Sequence, residues 1–192
     1  MLIESAARWM LVLHTAVGVA AVGAATHLVL WLRKYVRGQS GKRRAVLRFA
    51  WLVLAFQLAA FVAGNVMYPT YKVEVRVAYL ENAGAIVADE AAHQRELDKI
   101  AARENTTAYE PTHAPKLIKQ AAKQARWFDV KEHWVALGML ASLALVLVLM
   151  FWDPSRDGTA LASIVVGLAV VIAGTVWLGA IVGVLTSAWR AV

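Results

Sequence analysis

The stretch WVALGMLASLALVLVLMFW, residues 134–152, contains no charged residue. A helix of about 20 apolar residues is long enough to cross the hydrocarbon core of a bilayer, which is roughly 30 Å thick. Similar stretches occur elsewhere in the chain, and the sequence predicts four membrane spans: residues 9–32, 49–68, 134–152 and 160–189. Hydrophobic residues make up 60% of the 192 residues, whereas a soluble domain has about 45–50% apolar residues. We therefore predict an all-α integral membrane four-helix bundle.

The loop between the first two predicted spans is strongly basic. It contains no acidic residue, and its basic residues are Arg33, Lys34, Arg37, Lys42, Arg43, Arg44 and Arg48. A basic run can bind nucleic acid or lipid headgroups, but in a short loop between spans it is typical of the cytoplasmic side. We therefore expect a protein of the bacterial inner membrane that contacts the lipid bilayer and binds no nucleic acid. Both termini and the loop 69–131 are then predicted to be extracytoplasmic, in a single membrane domain over residues 1–192.

The predicted extracytoplasmic loop is long enough to have structure of its own. Residues 71–79, YKVEVRVAY, alternate as a strand does, but their tyrosines also share one helical face. Because a lone strand would have no partner, we favour a helix or extended coil there. Residues 85–104 are predicted to form a polar surface helix, and residues 116–128 an amphipathic helix. The loop is therefore expected to be largely helical.

The chain has no cysteine. Structural disulfides, iron–sulfur clusters, thiolate zinc sites and covalently attached c-type haem are thereby excluded. No Ser/His/Asp arrangement, phosphate-binding loop or zinc-protease motif occurs in the sequence, so nothing indicates a soluble-type hydrolase. Any cofactor must be held by histidine, carboxylate, methionine, tyrosine or backbone groups.

Histidines are the main candidates for function, because ionisable side chains inside a membrane are costly. His14 lies in the first span, and His133 immediately precedes Trp134 at the start of the third, so both are predicted in the outer half of the bundle. Two neutral imidazoles there could ligate a haem b, although they would differ in depth by about 9 Å along the membrane normal. The alternative is that His14 is a neutral interhelical hydrogen-bonding group.

Groups that could meet haem propionates follow the second span. Tyr71, Lys72 and Arg76 lie on the same predicted side as His14, and small residues beside His14 would leave room for a flat macrocycle. His27 is about 140° from His14 around the first helix, and no second histidine is available near it to complete a haem site. It could serve a proton path or bind a quinone, but we favour an interhelical contact.

A second set of possible ligands begins at Asp129. Asp129 and His133 are four residues apart and would share one face of a helix, with Glu132 beside them. Carboxylate and imidazole groups on one turn can bind copper or another divalent metal, and His93 and His113 of the loop could complete such a site. Alternatively, Asp129 is the N-cap of the third helix and Glu132 pairs with a basic side chain.

The fourth predicted span is rich in glycine, with Gly167, Gly174, Gly179 and Gly183. Small residues let helix backbones approach closely in lipid. We predict that these glycines pack within this bundle. The alternative is a contact face for another membrane subunit or for a second copy of the chain.

The first two spans resemble those of CopD-like bacterial inner-membrane proteins. Leu13-His14-Thr15, followed by a Gly/Ala-rich stretch to His27, is similar to the first helix of those proteins. The segment Gly64-Asn65-Val66-Met67-Tyr68-Pro69 is loosely similar to the end of their second span. The resemblance implies a protein in which early histidines, here His14 and His27, are associated with haem or copper.

The sequence leaves three kinds of function open. The leading one is a haem b protein, or a protein binding copper or another metal, that passes electrons between the quinone pool and an extracytoplasmic redox partner. The second is a cofactor-free structural or accessory subunit of a larger membrane complex. The third is a small enzyme or carrier for lipid or quinone.

Overall fold

The computed structural model describes residues 4–107 and 113–188, and this part of the chain contains helices and no strand. The helices are α1 (Glu4–Val36), a 3₁₀ turn (Ser40–Lys42), α2 (Arg43–Thr70), a π-helix (Tyr71–Leu80), α3 (Ala83–Glu104), α4 (Ala114–Phe151), α5 (Pro154–Asp157) and α6 (Ala162–Ala188). Four helical segments, containing α1, α2, α4 and α6, are long and apolar enough to cross a membrane. This confirms the prediction of four apolar helices; the predicted end of the last span, at Trp189, lies outside the described residues.

The chain forms two compact units. Of the described residues, 4–67 and 129–188 make up the first, here called the membrane unit, and 68–107 and 113–128 make up the second, here called the loop unit. The helices α2 and α4 contribute residues to both. Each unit has its own internal packing.

The core of the membrane unit is made by α1, α2, α4 and α6. Buried apolar side chains recur mostly three or four residues apart along these helices, as expected when one face of a helix packs against its neighbours. They include Leu28, Leu32, Tyr35, Val46, Val53, Leu145, Val146, Leu149, Trp152, Val165 and Ile172. This core lies toward the end of the unit that carries residues 33–48, here called the basic end. Leu140 and Phe151 are among many large apolar side chains that are exposed, as a lipid-facing surface requires.

Three contacts close the basic end. Arg43 at the start of α2 pairs with Asp153 after α4, with 3.3 Å between Nε and Oδ2. Tyr35, buried near the end of α1, meets the ring of Trp152 edge-on, with 6.5 Å between the ring centroids. The indole N–H of Trp152 donates to the carbonyl of Gly158 at 3.2 Å. These contacts tie the ends of three helices together.

Glycine lies where α4 and α6 approach each other. A Cβ added at Gly138 would lie 2.2 Å from Oγ1 of Thr175, far inside van der Waals contact. Gly179 and Gly183 of α6 also face side chains of α4. These two glycines therefore pack within the bundle, as predicted, whereas Gly167 and Gly174, for which the same was predicted, are exposed.

The π-helix begins directly after Pro69 and Thr70, the last two residues of α2. Proline has no N–H to donate, so one hydrogen bond of the α-helical i→i−4 pattern cannot form at Pro69. A bond of the wider i→i−5 pattern closes the π-helix, where the N–H of Glu81 donates to the carbonyl of Arg76 at 2.9 Å. Residues 71–79 are therefore helical, in agreement with the rejection of a strand.

Aromatic stacking organises the loop unit. The rings of Tyr71 and Phe128 stack with 4.0 Å between their centroids and 18° between their planes, and Tyr68 lies beside both. The predicted helix at 85–104 corresponds to α3. The predicted helix at 116–128 is the first part of α4, which continues into the third span without a break.

Candidate functional site

His14 of α1 is directed toward α2. Its Nδ1–H donates a hydrogen bond to the carbonyl oxygen of Ala60, and these two atoms are 2.9 Å apart. The imidazole lies beside Gly64, where an added Cβ would be 3.5 Å from its Cε1. Because a carbonyl can only accept, the bond fixes the proton on Nδ1 and leaves Nε2 with a lone pair.

A cationic side chain from α4 lies close to this imidazole. The ammonium of Lys131 interacts electrostatically with His14, and its Nζ would be 3.4 Å from a Cβ added at Gly183 of α6. Two different spans thus contribute an imidazole and an ammonium group that interact electrostatically. His14 and Lys131, with Ala60, Gly64 and Gly183 beside them, are here called the histidine–lysine site.

His133, the predicted partner of His14, has a different environment. Its side chain is exposed, and its Nδ1–H donates to the carbonyl of Asp129 in its own helix at 2.8 Å. Residues two positions apart are about 200° apart around a helix, so His133 and Lys131 project from opposite sides of α4. Among the described residues no contact joins His133 to His14, and Lys131 is the α4 side chain that interacts with His14.

The metal site predicted at Asp129, Glu132 and His133 is not supported. Asp129 meets His133 through its backbone carbonyl rather than through its carboxylate. In the part of the chain that the structure describes, no three side chains of His, Asp or Glu are grouped so that they could hold an ion. His93 and His113, the other predicted contributors, are both exposed.

His27 contacts α2 through its ring. It stacks on Phe49, with 5.3 Å between the ring centroids and 17° between the planes. Its Nδ1–H donates to the carbonyl of Gly23 at 2.9 Å. This is the kind of interhelical contact that the sequence favoured for His27.

The predicted propionate partners Lys72 and Arg76 belong to the loop unit. Arg76 pairs with Glu81, with 2.7 Å between Nε and Oε1, and Lys72 is exposed. The cation that interacts with His14 is Lys131, which the sequence prediction omits. The sequence does contain an indication that Lys131 faces the bundle. Lys131 lies on one face of α4 with Val135, Gly138 and Ser142, which follow at intervals of three or four residues.

A second group of polar side chains lies inside the membrane unit, between α2, α4 and α6. Gln57, Ser142 and Thr175 are all buried. The Ser142 hydroxyl lies 2.9 Å from the carbonyl of Gly138 and 3.2 Å from Oε1 of Gln57, and having one proton it donates to one of them at a time. Within the described residues, Nε2 of Gln57 has no hydrogen-bond partner. Since buried polar groups are costly unless they are paired, this cluster favours one arrangement of the three spans.

Comparison of the chain with protein-family models, with curated protein sequences and with solved structures finds no match. The resemblance to CopD-like proteins therefore stays a prediction. Function is inferred from the histidine–lysine site and from the surfaces of the spans.

Proposed function

We propose that this protein binds a b-type haem at the histidine–lysine site, with Nε2 of His14 as an axial ligand, and that it transfers electrons. The observation that supports this is the hydrogen bond from Nδ1 of His14 to the carbonyl of Ala60. Histidines that ligate metals usually donate their other ring N–H to a carbonyl or carboxylate, which fixes the tautomer and the orientation of the ring. Haem bound there would supply a one-electron redox centre.

The charge at the site suits a ligand that carries carboxylates. Lys131 presents a cation near His14, and inside a membrane such a cation is stabilised by a negatively charged partner. A haem propionate is such a partner. Gly64 and Gly183 beside the two side chains have no side chains of their own to exclude a flat ligand. His133, which the sequence predicts as the second axial ligand, projects from the side of α4 opposite to Lys131, so His14 is the one axial ligand that we assign.

We further propose that the basic end faces the cytoplasm of a bacterial inner membrane, as the distribution of charge predicts. The histidine–lysine site would then lie toward the outer face. Electrons would pass there between the quinone pool and an extracytoplasmic redox partner. His14 would hold the haem, and Lys131 would orient it.

An absorbance spectrum of the purified full-length protein tests the proposal. When the protein is expressed with a haem precursor in the medium, we expect a Soret band that shifts on reduction with dithionite. His14→Ala should abolish the band because it removes the ligand atom. His27→Ala is the matched control, since His27 is also a histidine of α1 but stacks on Phe49, and it should keep the band.

Two further variants separate ligation from folding. His14→Met retains a side chain that can ligate haem iron and should give a haem protein with an altered spectrum. His133→Ala should keep the band, because His133 projects from the side of α4 opposite to Lys131. A wild-type protein that shows no Soret band although haem is supplied would overturn the proposal.

A cofactor-free accessory subunit is the second candidate, and one surface of α6 favours it. Gly167 and Gly174 are both exposed, and an added Cβ at either would meet nothing within 4 Å in the described structure. Seven residues apart, they lie on nearly the same face of the helix, where another membrane helix could approach closely. Co-purification of a larger complex that Gly167→Leu/Gly174→Leu disrupts, without loss of stability, would favour this function.

A further inference from the structure

Two lysines share one indole ring at the basic end of the membrane unit. Nζ of Lys34 lies 5.0 Å from the ring centroid of Trp31, and Nζ of Lys42 lies 4.8 Å from it. Each distance is in the range of cation–π attraction. Both ammonium groups lie about 5 Å from the centre of the same ring, so they are no more than about 10 Å from each other.

The turn that brings the two lysines together is held by local hydrogen bonds. Lys34 is in the last turn of α1, and Lys42 ends the 3₁₀ turn. Gly38 between them has a φ of 97°, a left-handed conformation that favours glycine, and its N–H donates to the carbonyl of Tyr35 at 3.1 Å. The side chain of Tyr35 is buried. The lysines are therefore presented on an ordered turn.

No ion pair of either lysine with an acid is found in the part of the chain that the structure describes. Residues 33–48 contain no acid, and the ion pair described for this segment is that of Arg43 with Asp153. An anion bound beside Trp31 would be attracted by both ammonium groups.

We propose that Trp31, Lys34 and Lys42 form a binding site for the phosphate group of an anionic phospholipid. Tryptophan side chains favour the interface of a membrane with water, at the level of the lipid headgroups. Lysines at that level attract anionic lipids. The site lies at the end of a membrane-spanning helix, so a phosphate attached to acyl chains reaches it from the bilayer. The lipid would hold α1 and the start of α2 in their relative positions.

Native mass spectrometry of the full-length protein in detergent tests this site. The protein is titrated with phosphatidylglycerol and, separately, with phosphatidylcholine, and the bound lipids are counted. We expect preferential binding of phosphatidylglycerol that Lys34→Gln/Lys42→Gln weakens on the order of tenfold or more. The control Arg44→Gln/Arg48→Gln removes two positive charges from the same end of the membrane unit, but from residues that do not lie over Trp31. It should weaken binding much less.

Further variants and competitors sharpen the result. Lys34→Arg/Lys42→Arg keeps both charges and should retain binding, whereas Trp31→Leu removes the cation–π partner and should weaken it. If Lys34→Gln/Lys42→Gln and Arg44→Gln/Arg48→Gln weakened phosphatidylglycerol binding equally, the lipid would be attracted by the charge of the whole basic end. That result would overturn the proposal. The proposal would also be overturned if inorganic phosphate competed for the site as effectively as phosphatidylglycerol does. Binding of phosphatidylcholine as strong as that of phosphatidylglycerol would overturn it too.

Discussion

Gly138 of α4 lies so close to Thr175 of α6 that an added Cβ would be 2.2 Å from Oγ1 of the threonine. No side chain fits between the two helices at this level, because the interior of a protein is already close-packed. The contact lies beside the buried hydroxyl of Ser142, which is 2.9 Å from the carbonyl of Gly138 in the same helix. Position 138 therefore controls how closely the third and fourth spans approach.

Gly138→Ala should destabilise the protein. The added methyl group must push α6 away from α4, and overpacking of this kind costs about 1–3 kcal/mol. The measurement is the midpoint of thermal unfolding in detergent, followed by circular dichroism. Gly138→Ala/Thr175→Ala, which removes the opposing Oγ1, should recover part of the loss.

Gly167→Ala is the matched control for this substitution. Gly167 is also in a spanning helix, but an added Cβ there meets nothing within 4 Å in the described structure. Alanine is the better helix former by about 1 kcal/mol, so this variant should be as stable as the wild type or more stable. Equal effects of the two substitutions would contradict the close contact at position 138.

Ser142→Ala should lower stability by about 0.5–1.5 kcal/mol, because it leaves Oε1 of Gln57 buried without its donor. Replacing both partners removes both polar groups, so Gln57→Leu/Ser142→Ala should lose less than the two single variants together. Unfolding in increasing SDS measures all three. Thr186→Ala is the control, since the Thr186 hydroxyl bonds only carbonyls of its own helix. Strict additivity of the two single effects would show that Gln57 and Ser142 are not coupled.

Asp153 should make the stability of the basic end depend on pH. The hydroxyl and N–H of Ser155 donate to its carboxylate at 2.6 and 2.9 Å, and they hold the pKa of Asp153 below its usual value of 3.8. A carboxyl group whose pKa is lower in the folded state stabilises the fold above its unfolded pKa. That contribution is lost as the pH falls through the folded value.

Asp153→Asn should therefore melt at a lower temperature than the wild type at neutral pH. The difference should shrink as the pH falls below 3.8, because the wild-type carboxylate then becomes neutral as well. Thermal unfolding of both proteins over a series of pH values measures it, with Asp98→Asn in the exposed helix α3 as the control. A difference that stays constant with pH would show that Asp153 acts through its shape and not its charge.

The orientation in the membrane can be measured with single cysteines, because the chain has none of its own. We expect an impermeant maleimide added to intact cells to label Ala102→Cys in α3. It should label Gln39→Cys, at the basic end, only after the membrane is permeabilised. The reverse pattern would mean that the basic end is extracytoplasmic, against the distribution of positive charge.

The sequence was sufficient to predict four long apolar helices, because hydropathy reports which segments can lie in lipid. It was not sufficient to predict where the third helix begins. α4 starts at Ala114, well before the apolar stretch 134–152, because a polar segment can continue a helix when no proline or glycine interrupts it. The sequence was also not sufficient to predict the π-helix after Pro69, since the residue pattern of 71–79 fits either a helix or an extended coil.

The candidate site was predicted in part. His14 stood out because an imidazole inside a span is rare, and the structure gives it an interhelical hydrogen bond. His133 was chosen by its depth along the membrane normal. Depth follows from position in the sequence, but the direction of a side chain around its helix depends on packing against other helices. That packing turns Lys131 toward His14 and leaves His133 exposed.

The hydrogen bonds and ring contacts described for the two histidines of α1 are to α2 or to α1 itself: His14 bonds Ala60, and His27 stacks on Phe49. A chain emerges from the ribosome in order, and its N-terminal parts fold first. Ala60, which orients the imidazole of His14, is therefore synthesised well before Lys131. The order of synthesis is then also the order in which the parts of the histidine–lysine site become available, with the imidazole and its acceptor first and the cation from a later helix last.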